Sequence, residues 1–396
     1  MLSFFERRVD PFPLSVPAPP PHHLLAFCRH YSRGLEGSLA LMALLTALLA
    51  IMEVSLFGFL GQLVDWLVER DPRTVLQEEA LTLLGWGLLT LVGLPVVVFL
   101  HAAVVHQTLL GNYPMRIRWL AHRYLLRQSV SFYQNDFAGR IATKVMQTAL
   151  ALREAVMKLL DVIMYVCVYF TAMLVVIAQA DPRLVAPMLA WLGVYVALQV
   201  YFVPRLLKVA EEQADARAEM TGRIVDSYTN ITTVKLFSHS RREADYAREG
   251  MAAFLLTVYR QMRLATGINV SVHVSNYVLV FAVAALSIGL WTAGDISVGG
   301  IAIAISLALR LNGMAQWIMW EITALFENIG TVTDGMHTLS RPLEVNDRPD
   351  AGHLRVTGGE IRFEGVGFHY GKGSGVIEHL DLHIRAGEKV GLVGRS

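Results

Sequence analysis

Two groups of residues in this chain of 396 are of types and spacings that could do chemistry. The first is Gly394-Arg395-Ser396, directly after the apolar run Lys389-Val390-Gly391-Leu392-Val393. A phosphate-binding loop has a glycine after a buried strand, four intervening residues, then Gly-Lys-Ser/Thr, so that backbone N–H groups and a lysine surround the phosphates. Gly394 would let the chain turn beneath phosphates and Ser396 would offer its N–H, but only these three residues of the motif are present. The second group is polar and sits in apolar surroundings: Glu53, Arg310, Asn269, His273, Asn276, Asn312 and Gln316. A charged side chain at the bilayer centre costs ~2.5–3.5 kcal/mol on insertion scales, so Glu53 and Arg310 should face protein or water. They lie at comparable depth and are expected to approach each other, because mutual attraction offsets part of the desolvation. Asn269, His273 and Asn276 recur at i, i+4, i+7, and Asn312 with Gln316 at i, i+4, so each set shares one helical face. Such faces suit either a substrate cavity or hydrogen bonds between helices. His101 and His106 read as lining or packing residues, and no metal site is made of them.

The elements that must position these residues are membrane spans. The chain is 54% hydrophobic and 17% charged, with a mean hydropathy of +0.45, too apolar for an ordinary soluble enzyme of this length. Apolar runs near 37–64, 81–107, 160–180, 184–204, 264–292 and 296–320 each reach the ~20 residues needed to cross a bilayer. The outer connections carry only Arg70, Arg73 and Arg183, whereas the inner segments are rich in Lys and Arg, so both termini are expected on the cytoplasmic side. A net charge of +1 without like-charge blocks gives no reason to expect a nucleic-acid partner.

The inner links, 108–159 and 205–263, are long and lack Gly/Pro/Ser tracts. They are expected to be pairs of helical extensions reaching ~35–40 Å past the membrane at ~1.5 Å rise per residue. At their turns lie Phe132, Tyr133 and Phe137 in one and Val234, Leu236 and Phe237 in the other, apolar groups at expected loop tips. Burial against a partner is the natural reason for such placement.

The first 36 residues hold Arg7-Arg8 but no apolar run behind them, and so do not read as a signal peptide. From His22 to Arg33, Leu24, Phe27, Cys28 and Tyr31 fall on one face, as in a helix lying in the membrane interface. Cys28 and Cys167 are isolated and read as packing residues. Ser340 to Gly352 has the Pro, Asn and Gly punctuation of a linker.

From Ile361 the chain runs IRFEGVGFHYGKGSGVIEHLDLHIRAGEKVGLVGRS, which resembles the opening of an ATP-binding cassette: strand, aromatic loop, second strand, turn, third strand and phosphate-loop entrance. The residues before it, from about Leu35, resemble the membrane domain of a half-size ABC exporter. The resemblance implies a mainly α fold: a six-helix exporter domain with long cytoplasmic extensions, then the incomplete start of an α/β P-loop ATPase domain. Its divisions are 1–36 with an elbow helix, 37–325 the transmembrane domain, 326–352 a helical extension and linker, and 353–396 the first part of the nucleotide-binding domain. It further implies that Tyr370 stacks on adenine, that Gly394, Arg395 and Ser396 meet phosphate, and that the two inner turns hold coupling helices.

ATP with Mg²⁺, a second copy of the chain, membrane lipid and a small amphipathic substrate, drug-like or lipid-like, are the implied ligands and partners, at a bacterial inner membrane. The catalytic residues of such an ATPase are absent from the printed residues, so these are expected not to hydrolyse ATP alone, and the sequence reads as an incomplete record. The alternative is a membrane scaffold or regulatory paralogue without transport activity.

Overall fold

The computed structural model describes residues 2–15, 18–134, 138–237, 240–346, 348, 350–356, 358–369 and 376–394. The chain divides into two compact units, 1–343 and 344–396. In the first, six helices among the described residues are long and apolar enough to cross a membrane: Glu36–Glu69, Ala80–Leu125, Ala138–Ala180, Pro182–Thr229, Arg241–Thr292 and Val298–Leu339. They are called the first to sixth helices below. Helices answer the bilayer's demand that every backbone N–H and C=O be paired within the segment. They also carry the inner links: the second helix runs on to Leu125, the fourth to Thr229, and their partners begin at Ala138 and Ser240.

The first helix packs on the third and the sixth, the fourth on the fifth, and the fifth on the sixth. Tyr169, Met173, Ile177, Met188, Val283 and Leu307 form the core of the spans. A second cluster, with Phe27, Tyr31, Tyr113, Ile117, Leu152 and Val332, lies where the inner extensions meet.

The outer ends of the first and sixth helices are joined through capping. Ser297 Oγ accepts the Gly300 N–H at 3.0 Å. Asp65 Oδ1 accepts the Gly299 N–H at 2.7 Å, and Asp65 Oδ2 accepts from Ser297 Oγ at 2.9 Å. Two N–H groups left open at the helix start are thereby satisfied, one of them by an anion at the positive end of the helix dipole. Glycines make the approach possible, since a Cβ at Gly299 would stand 2.1 Å from the Gly61 carbonyl oxygen. Beside them, Arg183 bridges Asp181 and Asp295 at 2.8 and 2.6 Å. Hydrogen bonds from Arg183 hold the Asp181 carboxyl below the usual carboxylate range.

Among the described residues three stretches have the wider π turn: Leu89–Gly93 and Ala103–Leu109 in the second helix and Leu159–Ile163 in the third. The first precedes Pro95, whose missing N–H and ring are poorly tolerated in a regular helix. The amphipathic pattern gives no sign of these turns, because one extra residue per turn shifts a face without altering composition.

The residues before the first helix form a strap along the second. A short helix, Leu2–Glu6, buries Phe5. Thr108 Oγ1 donates to the Phe5 carbonyl at 2.9 Å, Asn112 Nδ2 to Glu6 at 2.8 Å, Arg116 Nη1 to Asp10 at 2.7 Å and Trp119 Nε1 to Pro13 at 3.0 Å. Arg123 reaches both Pro13 and Ser15. These donors stand at spacings of three and four, one face of a helix.

The helix Leu24–Ser32 follows, but Phe27 and Tyr31 are fully buried in the protein, while Leu25 is 80% exposed. The apolar face expected to enter the membrane interface therefore turns inward, because Leu109, Tyr113 and the end of the sixth helix offer it a packed surface. Burial there pushes the Cys28 thiol up to about 11, as for a packing residue.

In the second unit, β1 (Ile361–Phe368) and β2 (Ile377–Ile384) pair antiparallel, Ile361 opposite Ile384 and Phe363 opposite Leu382. A register shift follows Phe363, where Gly365 takes φ +58° and its N–H reaches Asp381 Oδ1 at 2.6 Å. Such a bulge selects glycine because other residues are strained there. The expected strand Lys389–Val393 is a correction: these residues have no regular structure and no place in the described sheet, with Val393 fully exposed. A strand exists only through its ladder.

The close helix crossing yields a test. Gly299→Ala is expected to lower stability by about 1–3 kcal/mol, since the Gly61 carbonyl is backbone and cannot swing aside. Gly313→Ala, with nothing within 4 Å of its added Cβ, should change it by less than ~0.5 kcal/mol. Thermal unfolding in detergent compares the two, and equal shifts would refute the close-approach account.

Candidate functional site

The third helix carries most of the site on one face. Its residues Lys158, Asp161, Tyr165 and Tyr169 follow helical spacing and meet the first, second and sixth helices in turn. Midway up, Tyr165 Oη donates to Glu53 Oε2 at 2.6 Å. Arg310 Nη2 lies 3.5 Å from the same oxygen, and its guanidinium stands over the Tyr169 ring at 5.9 Å. The pairing expected from depth alone is thus present, and it has two aromatic neighbours that the sequence reading did not supply. Each charge is 37–46% exposed, so the pair borders open space and is not sealed in the core.

Below it lies a cluster that sequence reasoning missed. Asp161 Oδ1 accepts hydrogen bonds from Thr46 Oγ1 and from His101 Nε2, the latter at 3.0 Å. Thr46 Oγ1 and His101 Nε2 are themselves 3.0 Å apart. Asp161 lies within one of the π turns, and His101 lies two residues before another. Thr46, Glu53, His101, Asp161, Tyr165 and Trp317 line a single cavity of about 240 Å³. Lower still, Lys158 donates to Glu321. The available signal was an acid and a histidine inside apolar runs, since an ionisable group in a span calls for a partner at equal depth.

A second stripe joins the fifth helix to its neighbours. Asn276 is buried; its Oδ1 accepts from Trp191 Nε1 at 2.8 Å and its Nδ2 donates to Asn312 Oδ1 at 2.9 Å. Gln316 Nε2 meets His273 Nε2 at 2.5 Å, while His273 Nδ1 is buried without a partner among the described residues. Tyr195 Oη donates to the Ala315 carbonyl at 2.8 Å. Asn269 is exposed and stands apart from this network. The polar candidates therefore fall into two sets on two sides of the sixth helix, Arg310 on one and Asn312 and Gln316 on the other.

At the inner turns the two expected tips differ. Phe132 is 5% exposed and lies beneath Arg341 at 5.7 Å, so its expected exposure is corrected: the chain's own cation and arm cover it. Tyr133 is partly exposed and donates to the Leu125 carbonyl at 2.8 Å. In the helix Ile231–Leu236, Val234 is half-buried, whereas Leu236 and Phe237 are 76% and 67% exposed. Phe137, Tyr370, Arg395 and Ser396 lie outside the described residues, and Gly394 is exposed.

Six helices long and apolar enough to span a membrane, paired helical arms and a polar site inside the bundle are the construction of a membrane transport domain. Residues 39–314 match the ABC transporter transmembrane region, and the chain belongs to that family. It is 46% identical over 396 residues to an uncharacterized ABC transporter ATP-binding protein of Haemophilus influenzae, covering all of this chain and 64% of that protein. An ATP-dependent lipid A-core flippase of Alcanivorax borkumensis is 25% identical over 308 residues, 72% of this chain and 50% of its own length. The structure of a bacterial Atm1-family ABC exporter with ATP bound superposes with a TM-score of 0.64 at 17% identity, over 89% of this chain and 62% of that one. The chain thus has the exporter fold and spans less than two thirds of the length of these relatives.

A double-mutant cycle checks the central pair. Glu53→Gln and Arg310→Gln should each destabilise the protein, and the double variant should cost less than their sum by ~0.5–1 kcal/mol, measured by thermal unfolding. Strict additivity would mean that each charge serves the open space separately.

Proposed function

We propose that the complete protein is an ATP-driven exporter of a small amphipathic molecule, drug-like or lipid-like, acting as a homodimer by alternating access. The observation that carries this reading is the line of polar and aromatic groups from Glu321 through Asp161 to Glu53 and Arg310, partly open and built on three helices around the sixth. Ionisable groups inside a span are costly, and besides pairing with one another they mark substrate or ion pathways. Tyr165 and Trp317 add flat apolar walls at a centroid distance of 6.0 Å, which suits a molecule with both apolar and polar parts. Asn269, His273, Asn276, Asn312 and Gln316, on the other side of the sixth helix, are proposed as a second polar face for the substrate, with the buried Nδ1 of His273 a point where a bound polar group would be held.

The flippase similarity and the exporter fold support this direction of reading. In the complete protein Tyr370, Gly394, Arg395 and Ser396 would contact ATP. Mg²⁺ would neutralise the phosphates there, and the site would form between two copies. The protein is proposed to sit in the bacterial inner membrane with both termini cytoplasmic. Leu236 and Phe237 are proposed to seat in the ATPase domain, since two exposed apolar side chains at the tip of a long arm gain from burial.

The test is ATPase activity of the reconstituted complete protein with and without amphipathic compounds. Wild-type activity should rise several-fold with a substrate. Leu236→Ser combined with Phe237→Ser should abolish most of that rise while leaving the protein folded and able to bind ATP. Full stimulation in the double variant would remove these residues from the coupling surface. The absence of stimulation by any amphipathic compound, together with failure to move one across vesicles, would overturn the export reading.

A further inference from the structure

The strap at the start of the chain leaves a groove that the export reading does not use. A cavity of about 500 Å³ lies between Phe5 and the second helix, lined by Leu91, Val92, Pro95, Val96, Phe99 and Leu100 beside it. Every lining side chain is apolar, and Leu91, Val96 and Phe99 are 79, 50 and 44% exposed on the outside of the bundle. The groove lies where the second helix is irregular, with π turns at Leu89–Gly93 and Ala103–Leu109 on either side of Leu94–Ala102.

Its depth is set by hydrogen bonds. Thr108 and Asn112 hold the carbonyls of Phe5 and Glu6, so the short helix lies against the inner end of the apolar run 81–107 and its continuation falls just beyond. That continuation is Arg7-Arg8. Both side chains are exposed, and neither belongs to the ion pairs or side-chain hydrogen bonds of the described residues. The neighbouring acids are Glu6, also exposed, and Asp10, whose Oδ1 is occupied by the Phe12 N–H at 2.9 Å. An apolar channel along the span thus ends at Phe5, and the two exposed cations follow two and three residues on, just past the end of the apolar run. A guanidinium offers a rigid fork of donors that matches a phosphate.

We propose that this groove is a binding site for one anionic phospholipid of the inner leaflet, with an acyl chain along Val92, Val96 and Phe99 and the phosphate on Arg7 and Arg8. Ordinary boundary lipid covers any outward face without preference for headgroup. This site differs because a fixed wall, Phe5, encloses the chain, and because its cations stand on a segment held to the protein by side-chain hydrogen bonds and not on a free tail. The lipid in turn would hold the start of the strap against the second helix.

The experiment is native mass spectrometry of the complete protein after exchange from nanodiscs of phosphatidylglycerol mixed equally with phosphatidylcholine of the same acyl chains. Wild type should retain one phosphatidylglycerol per chain in preference to phosphatidylcholine. Arg7→Gln and Arg8→Gln should each reduce that preference by about five-fold, and Glu6→Gln should raise it. Val96→Trp, which fills the channel, should remove the retained lipid of both kinds. Equal retention of the two lipids by wild type, or a preference unmoved by all three charge changes, would overturn the proposal in favour of boundary lipid only. Undiminished retention in Val96→Trp would place the chain elsewhere. The opposite signs expected for Glu6→Gln and Arg7→Gln keep the result readable if one variant folds poorly.

Discussion

The contact between the first and sixth helices is the one on which the membrane domain depends. At its outer end Asp65 completes the cap of the sixth helix, with glycine on both sides of the crossing. Midway, Glu53 meets Arg310. These are different kinds of interaction, and each needs the other. A glycine crossing in hydrocarbon gains only packing and short backbone distances, because lipid tails supply no hydrophobic drive. A charged pair gives no advantage unless the helices bring it together at one depth. The cap fixes the register along the helix axis, and register is what lets the two charges find each other.

The same reasoning explains why the polar groups form chains and not isolated pairs. Asp161 alone would be a buried acid in a span, but with Thr46 and His101 it accepts two hydrogen bonds and faces a small cavity. Glu53 has Tyr165 as well as Arg310. On the far side, Asn276 uses both ends of its amide, one to Trp191 and one to Asn312. An amide with only one end satisfied would leave a donor or acceptor in apolar surroundings, at a cost comparable to the bond gained. The strap obeys the rule in reverse. It has little side-chain chemistry of its own, so its backbone carbonyls are taken up by five polar side chains of the second helix.

Much of this was legible in the sequence and some was not, for physical reasons. The six spans follow from composition and length, because a bilayer accepts few other solutions. Glu53 and Arg310 could be matched because both are costly and their depths can be counted. The Asn276 stripe was visible as spacing, but its partner Trp191 was not, since a tryptophan in a span looks like packing until its N–H is placed. The π turns were invisible. So was the strap, because backbone carbonyls leave no mark in sequence, and a proline-rich segment looks the same whether bound or free. Phe132 was misjudged because loop position suggested exposure, whereas Arg341, more than two hundred residues on, covers it. The strand expected at Lys389–Val393 depended on a ladder partner, which pattern alone does not provide.

The sixth helix emerges as the element that both polar sets share. Arg310 and Glu321 tie it to the first and third helices, while Asn312, Ala315 and Gln316 tie it to the fourth and fifth. Residues two apart on a helix point away from each other, so Arg310 and Asn312 cannot serve the same neighbour. A rotation or slide of this helix would load one set as it relaxes the other. Because each set consists of discrete hydrogen bonds in a low dielectric, intermediate positions would leave donors unmet and carry the highest cost. The inner end of the helix closes at Ser340, whose hydroxyl donates to the Pro21 carbonyl at 3.0 Å, directly before the chain continues toward residue 344. The helix that carries Arg310 is therefore also the one through which the chain passes from the first unit to the second.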